Sequence, residues 1–172
     1  GSVTPLQMLA GYSIFANGGF LVTPYFIQRI EDAQGKVLNK AKPAIAGEDA
    51  DQAIDVRNAF TMISMMQDVV KHGTATRAMQ LGRQDLAGKT GTTSDSVDAW
   101  FCGFQPALVG IAWMGFDQPR SLGDKETGGG AALSFVSLGS GWGVKTARTR
   151  SRPGCETAPG LPCTTKISLR LS

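Results

Sequence analysis

Histidine, cysteine and long apolar segments are scarce in this sequence. It has one histidine, His72, in 172 residues and three cysteines. The common helical zinc motif needs two histidines, so we expect no metal site and no metal-dependent chemistry. An odd number of cysteines argues against a disulfide framework. No apolar run approaches the ~20 residues of a membrane-spanning helix, and we recognise no targeting signal, so we expect a soluble chain without membrane contact of its own.

The positive charge is concentrated in the last part of the chain. Residues 1–133 hold 11 Lys+Arg and 13 Asp+Glu, whereas residues 134–172 hold six basic residues and one acid, Glu156. The tail therefore carries the whole positive excess of a chain whose formal net charge is +3. Its basic residues are not interleaved with aromatic residues and match no nucleic-acid-binding module, so we expect no nucleic-acid partner. This composition is typical of a solvated, disordered tail.

The first third of the chain predicts a helix followed by extended segments. Thr4 can cap a helix that begins with proline, Gln7 completes a capping box, and Gly18-Gly19 ends the helix. Residues 20–30 read as extended chain. A turn at residues 32–35 and a short strand after it complete a β-hairpin.

A second helix is predicted from Asp51 to Lys71, where apolar residues recur on one wide face. We interpret its methionines as core-filling side chains. His72 and Gly73 are typical of a C-terminal cap, and residues 74–79 predict one or two further helical turns.

Three strands are predicted next, at residues 86–93, 98–105 and 107–116, with short connections. Parallel neighbours need a crossover of about a dozen residues or more, so these strands must be antiparallel. Trp100 and Phe101 should point to opposite faces of the sheet, and Cys102, on the Trp100 face, should be a small buried side chain. Asp98 is interpreted as a capping or pairing residue at the strand start. The predicted fold class is therefore α/β of the α+β type, with helices packed on an antiparallel sheet.

The segment Gly88-Lys-Thr-Gly-Thr-Thr93 contains the most informative residues, and two interpretations compete for it. Gly-Lys-Thr occurs in phosphate-binding loops, which would make the chain a nucleotide-binding module. That motif has four residues between its first glycine and Gly-Lys, but five separate Gly82 from Gly88. The loop should also follow a buried strand and begin a helix, whereas a turn and another strand follow here.

The alternative is the Lys-Thr-Gly element of serine acyl-transferases of the penicillin-binding type. Gly91 has no side chain, so a substrate backbone can lie close to the strand. Lys89 and the hydroxyls of Thr90 and Thr92 can converge on a peptide carboxylate. The backbone N–H of Thr92 is the candidate oxyanion donor, a group typically worth ~10²–10³ in rate.

The surrounding motifs favour this second interpretation. Residues 1–133 resemble the C-terminal half of the transpeptidase domain of class A penicillin-binding proteins, nearest the 1A type. The matching segments, in the order of the family, are Val3-Thr-Pro-Leu-Gln-Met8, Phe15-Ala-Asn-Gly-Gly19, Pro24-Tyr-Phe-Ile27, Gly73-Thr-Ala-Thr76, Ala87-Gly-Lys-Thr90, Lys89-Thr-Gly-Thr-Thr-Ser-Asp95, Asp98-Ala-Trp-Phe-Cys-Gly-Phe104 and Gly128-Gly-Gly-Ala131.

The resemblance implies a partial penicillin-binding/β-lactamase-like transpeptidase fold and a role in cross-linking peptidoglycan stem peptides, with β-lactams reacting at the same serine. It implies catalytic roles for Lys89 and the Thr92 N–H, and substrate binding by Thr90, Gly91, Thr92 and Thr93. It implies no cofactor. The parent enzyme is expected at the periplasmic face of the bacterial inner membrane.

Two of the family's catalytic motifs are missing from the sequence. No lysine has a serine three positions before it, so there is no Ser-x-x-Lys nucleophile, and there is no Ser-x-Asn. In the family both motifs precede the helix that starts near Thr4. We therefore expect the upstream remainder of the domain to be the partner of this chain, and the chain alone to be inactive. A non-catalytic interaction or folding fragment is the alternative.

The resemblance stops near residue 133. From Ser134 onward the residues depart from the family's pattern and show no sustained helical period. We expect a domain part at 1–133 and an atypical basic tail at 134–172, disordered or arising from a shifted reading frame or an unrelated fusion, with a genuine divergent C-terminus as the alternative.

Overall fold

The computed structural model describes residues 2–123, 126–133 and a strand at 163–170. Its helices are α1 (Pro5–Ala16) and α2 (Val56–Lys71), with 3-10 helices at Thr76–Leu81 and Ser94–Ser96 and a π-helix at Gly128–Ala132. Its strands are β1 (Phe20–Leu21), β2 (Arg29–Glu31), β3 (Val37–Lys40), β4 (Asp51–Gln52), β5 (Ala87–Thr92), β6 (Ala99–Gln105), β7 (Leu108–Gly115) and β8 (Cys163–Arg170).

Helix α1 begins with the predicted capping box. The Gln7 N–H donates to the Thr4 hydroxyl at 3.2 Å, and the Thr4 N–H donates to the Gln7 side chain at 2.8 Å. Two of the N–H groups that a helix start leaves unpaired are thereby satisfied. The helix ends where Gly18 and Gly19 take positive φ angles of 68° and 108°.

The segment between the helices forms two small antiparallel pairs. The predicted hairpin is confirmed as β2 and β3, whose turn is held by the Asp32 carboxylate accepting from the N–H groups of Gln34 and Lys36. The predicted start of the second helix at Asp51 is wrong, because residues 51–52 pair with β1. Asp55 is the N-cap instead, accepting from the Arg57 N–H at 2.8 Å.

Helix α2 buries a narrower face than the sequence predicts. Ala59, Met66 and Val70 are buried, whereas Met62 and Met65 are exposed and Phe60 is 72% exposed. The interpretation of the methionines as core filler therefore holds for Met66 and is wrong for the other two. A helix can bury only one stripe against a single neighbouring layer, so the flanks of its wide apolar face remain uncovered.

The main sheet has the order β5-β6-β7-β8, and its neighbouring strands are antiparallel as predicted. Side chains alternate between the two faces, which explains why Phe101 and Cys102 belong to different cores. One core joins the sheet to α2 and the π-helix through Val70, Ala75, Ala78, Leu86, Ala99, Phe101, Ala112, Ala132 and Leu133. The other joins it to α1 through Leu9, Met66, Ala87, Cys102, Phe104, Val109 and Ile111.

Strand β8 comes from the predicted basic tail. It pairs with β7 in a register that sets Leu169 opposite Val109 and Ile167 opposite Ile111. Ile167 and Leu169 alternate with Lys166, Ser168 and Arg170, a pattern typical of a strand. Residues 134–162, where most of the tail lies, are outside the described residues.

Tyr12 of α1 lies against Cys102 of β6 in the second core. Burial raises the pKa of the Cys102 thiol to about 12, although the hydroxyl of Tyr12 acts in the opposite direction. Burial and the neighbouring thiol likewise raise the pKa of Tyr12. Both groups are therefore neutral in the folded protein at physiological pH.

We expect the free energy of unfolding to fall as the pH rises from about 9 toward about 12. In that window the unfolded chain releases the Cys102 proton while the folded chain retains it. Each pH unit therefore lowers the free energy of unfolding by at most about 1.4 kcal/mol. Urea melts at pH 8, 9 and 10 measure this slope. Cys102→Ala should show a shallower slope, and equal slopes in the two proteins would contradict the assignment.

Candidate functional site

Strand β5 carries the predicted site residues on the outer edge of the main sheet. The Thr93 N–H donates to the Asp98 carbonyl at 3.0 Å, toward β6. Because N–H directions alternate along a strand, the backbone N–H and C=O groups of Thr92 and Thr90 point the other way, to the open edge. The Lys89 ammonium donates to the Thr90 carbonyl at 2.7 Å, so its charge lies at that edge too. The edge therefore presents one cation and outward-facing donors.

The hydroxyls of the two strand threonines are held from one face of the sheet. The Thr90 hydroxyl lies 2.5 Å from the hydroxyl of Thr74, in the turn after α2. The Thr92 hydroxyl accepts from the Gly128 N–H at 3.0 Å, at the start of the π-helix. These two contacts fix the side chains of Thr90 and Thr92 next to the open edge.

Two glycines let the π-helix lie directly on β5. A Cβ at Gly128 would be 2.2 Å from the Trp100 carbonyl oxygen and 2.5 Å from that of Gly91. A Cβ at Gly129 would be 2.4 Å from the Thr74 carbonyl oxygen. All three contacts are with backbone atoms, so a side chain at either glycine requires the strand or the turn to move.

The turn after β5 is held by side chains at both of its ends. The Thr93 hydroxyl accepts from the Asp98 N–H at 2.7 Å, and the Asp98 carboxylate accepts from the Trp113 indole at 2.7 Å. The pairing interpretation of Asp98 is confirmed by these contacts. Between them, Asp95 and Ser96 take positive φ angles of 61° and 51°. Backbone strain of this kind persists where the surroundings hold a turn firmly.

An open cavity of about 860 Å³ lies between the start of α1 and the face of β5–β7 that carries Lys89. Its floor includes Trp100 and Trp113, whose ring centroids are 6.2 Å apart. The residues that line it are Ser2, Val3, Thr4, Pro5, Leu6, Met8, Tyr12, Lys89, Thr90, Gly91, Thr93, Asp98, Trp100, Cys102 and Trp113. Most of the lining is apolar, with the Lys89 side chain at its border.

Within residues 2–123 and 126–133, no cluster of three or more histidine, cysteine or acidic side chains is arranged to hold a metal ion. In the same part of the chain, no helix is both long and apolar enough to cross a bilayer.

The structure brings Lys89, Thr90, Gly91 and Thr92 together on one edge. Thr93 differs, because its hydroxyl is engaged by Asp98 at the end of the strand. The context of a phosphate-binding loop is absent, since Lys89 lies inside a strand that leads to another strand. Sequence reasoning noted Gly73-Thr-Ala-Thr76 and the glycines at 128–130 only as matching motifs, and it missed the contact between Thr74 and Thr90. The repeated Gly-Gly-Gly signals a close backbone approach, but nothing in the sequence indicates which strand it approaches.

An antiparallel sheet between helices, with Lys-Thr-Gly on its outer strand, is the arrangement of serine acyl-transferases of the penicillin-binding class. The family described as penicillin binding protein transpeptidase domain matches residues 1–131, and the chain belongs to that family.

Its relatives include penicillin-binding proteins of the 1A type. Penicillin-binding protein 1A of Neisseria flavescens is 53% identical over 133 residues, which cover 77% of this chain and 17% of the relative. That of Pseudomonas aeruginosa is 39% identical across 94% of this chain and 27% of its own length. The crystal structure of the Haemophilus influenzae protein 1A matches with a TM-score of 0.74 and 31% identity, over 88% of this chain and 28% of that one. The chain thus spans between 17% and 28% of the length of these three proteins.

We expect Gly128→Ala to destabilise the protein by about 1–3 kcal/mol, because its methyl group overlaps backbone atoms of β5 and β6. Chemical denaturation measures the loss, and the Thr92 amide resonance should shift with it. Gly11→Ala is the matched control: a Cβ at this helical glycine meets no atom within 4 Å, so stability should rise by about 0.5–1 kcal/mol. A neutral Gly128→Ala would mean that the π-helix does not support β5.

Proposed function

We propose that this chain is part of a D,D-transpeptidase that cross-links peptidoglycan stem peptides and is acylated by β-lactams, with residues 1–133 forming part of the catalytic domain. The main observation that supports this proposal is the set of groups at the outer edge of β5. It combines the Lys89 ammonium, hydroxyls at Thr90 and Thr92, and an outward Thr92 N–H.

In the proposed reaction, a substrate peptide lies along β5 with its terminal carboxylate near Lys89, Thr90 and Thr92. Gly91 leaves room for its backbone, and Thr93 holds the end of the strand. A serine hydroxyl attacks the carbonyl of the penultimate D-Ala, and its proton passes to a nearby base. The Thr92 N–H stabilises the oxyanion, and its collapse breaks the C–N bond while the base passes the proton to the leaving nitrogen, which releases the terminal D-Ala as an amine. An amine of a second stem peptide then attacks the acyl-enzyme ester and regenerates the serine.

The serine and its base are proposed to come from the preceding part of the transpeptidase domain, since the sequence has no Ser-x-x-Lys. Exposed apolar side chains on α2 support such a partner, because large exposed apolar patches mark interaction surfaces. Phe60 is 72% exposed and Met65 is 50% exposed. The open cavity beside Lys89 provides a second surface for that partner. We place the parent protein at the periplasmic face of the inner membrane, working without a cofactor.

A non-catalytic folding or interaction fragment is the second candidate, favoured by the same exposed side chains. Phe26 and Ile27 are also 65% and 64% exposed. A fragment that needs its partner in order to fold melts without a cooperative transition when it is alone. Circular dichroism during heating distinguishes it from an autonomously folded part of an enzyme.

A fluorescent penicillin tests the proposal. We expect no label on this chain, alone or after co-expression with the preceding transpeptidase segment of the Neisseria flavescens relative. In the co-expressed complex, label should appear on the partner segment that carries the serine. Lys89→Ala should lower the rate of labelling roughly ten- to a hundredfold, the loss expected for a charged hydrogen-bond donor.

Lys71→Ala, at the exposed end of α2, is the control and should label at the unsubstituted rate. Denaturation-resistant label on this chain itself, or equal rates for the two lysine variants, would contradict the proposed roles. A complex that forms but takes no label would favour the non-catalytic candidate.

A further inference from the structure

Thr74 lies beside the proposed binding edge, although it is 16 residues from the strand in sequence. Its hydroxyl oxygen is 2.5 Å from that of Thr90, close enough for one hydroxyl to donate to the other. Thr74 is exposed and Thr90 is half-buried. The contact is therefore within reach of a ligand lying along β5.

The backbone of Thr74 is held on both sides. The next residue, Ala75, is fully buried, and its N–H donates to the Val69 carbonyl at 3.1 Å. On the other side, Gly129 approaches the Thr74 carbonyl so closely that a Cβ would lie 2.4 Å from its oxygen. A threonine with a fixed backbone and a restricted χ1 angle keeps its hydroxyl in place.

The arrangement also determines where hydroxyl protons are available. A threonine hydroxyl has one proton to donate and two lone pairs. In the Thr74–Thr90 pair one proton lies between the two oxygens, which leaves the other hydroxyl's proton for a further acceptor. The Thr92 oxygen accepts from the Gly128 N–H, so its own proton is directed elsewhere. Two hydroxyl protons and the Lys89 ammonium thus lie along one edge, a set of donors suited to an anion.

We propose that Thr74 is a positioning residue for a carboxylate at this edge, acting by orienting the hydroxyl of Thr90. The inference rests on the proposed function and extends it to a residue outside the Lys-Thr-Gly strand. A carboxylate accepts both hydroxyl protons through its two oxygens, whereas a carboxamide has only one acceptor oxygen and turns its NH₂ group toward a donating hydroxyl or the Lys89 ammonium. Thr74 therefore contributes to discrimination between a free carboxyl terminus and an amidated one.

The test compares two ligands on the full chain by NMR titration: D-alanyl-D-alanine and its C-terminal amide. The unsubstituted protein should prefer the acid, with shifts at the amides of Thr90 and Thr92. Thr74→Val removes the hydroxyl and keeps the shape, and it should weaken binding of the acid about tenfold while leaving binding of the amide unchanged. Thr74→Ser should restore the preference.

Thr76→Val is the matched control, because it removes an exposed hydroxyl from the same segment and should leave the preference intact. If Thr74→Val does not fold, Thr74→Ala makes the same comparison. An unchanged ratio of the two affinities in the folded Thr74 variant overturns this inference alone. Failure of the unsubstituted chain to prefer the acid overturns both this inference and the binding edge of the proposed function.

Discussion

Strand β5 is held by backbone contacts along one edge and one face, while no strand among the described residues pairs with its other edge. The π-helix lies so close that Gly128 leaves no space for a methyl group above Gly91 and Trp100. Contacts of this kind fix the strand without using its outward N–H and C=O groups. Unpaired strand edges are normally protected by charge, twist or a covering segment. Here Lys89 supplies a charge at the edge.

The two faces of the sheet serve different purposes. On the face of Phe101, small residues from the turn after α2 and from the π-helix pack closely on the strands and fix Thr90 and Thr92. On the face of Cys102, helix α1 covers β6 and β7 but leaves a cavity beside Lys89. A rigid layer therefore lies behind the threonines, and an accessible space lies beside the lysine.

Local signals in the sequence were sufficient to predict α1, the antiparallel pairing of the strands and the position of Lys-Thr-Gly at a strand edge. The capping box of Thr4 and Gln7 acts over three residues, and short connections dictate antiparallel pairing. What was missed depends on contacts distant in sequence. The pairing of residues 51–52 with β1 overrode a helical pattern, and the Thr74–Thr90 contact requires the 3-10 helix and loop between the two residues to return the chain to the sheet. Strand β8 was overlooked because charge and composition outweighed its alternating apolar residues.

The cavity floored by Trp100 and Trp113 has a calorimetric consequence. An open, mostly apolar surface of this kind holds water whose heat capacity exceeds that of the bulk liquid. Any segment that fills the cavity displaces that water, so its association becomes more exothermic as the temperature rises. This temperature dependence of the association enthalpy comes from covering the Trp100 and Trp113 rings. It is distinct from the enthalpy of an anionic group that binds to Lys89.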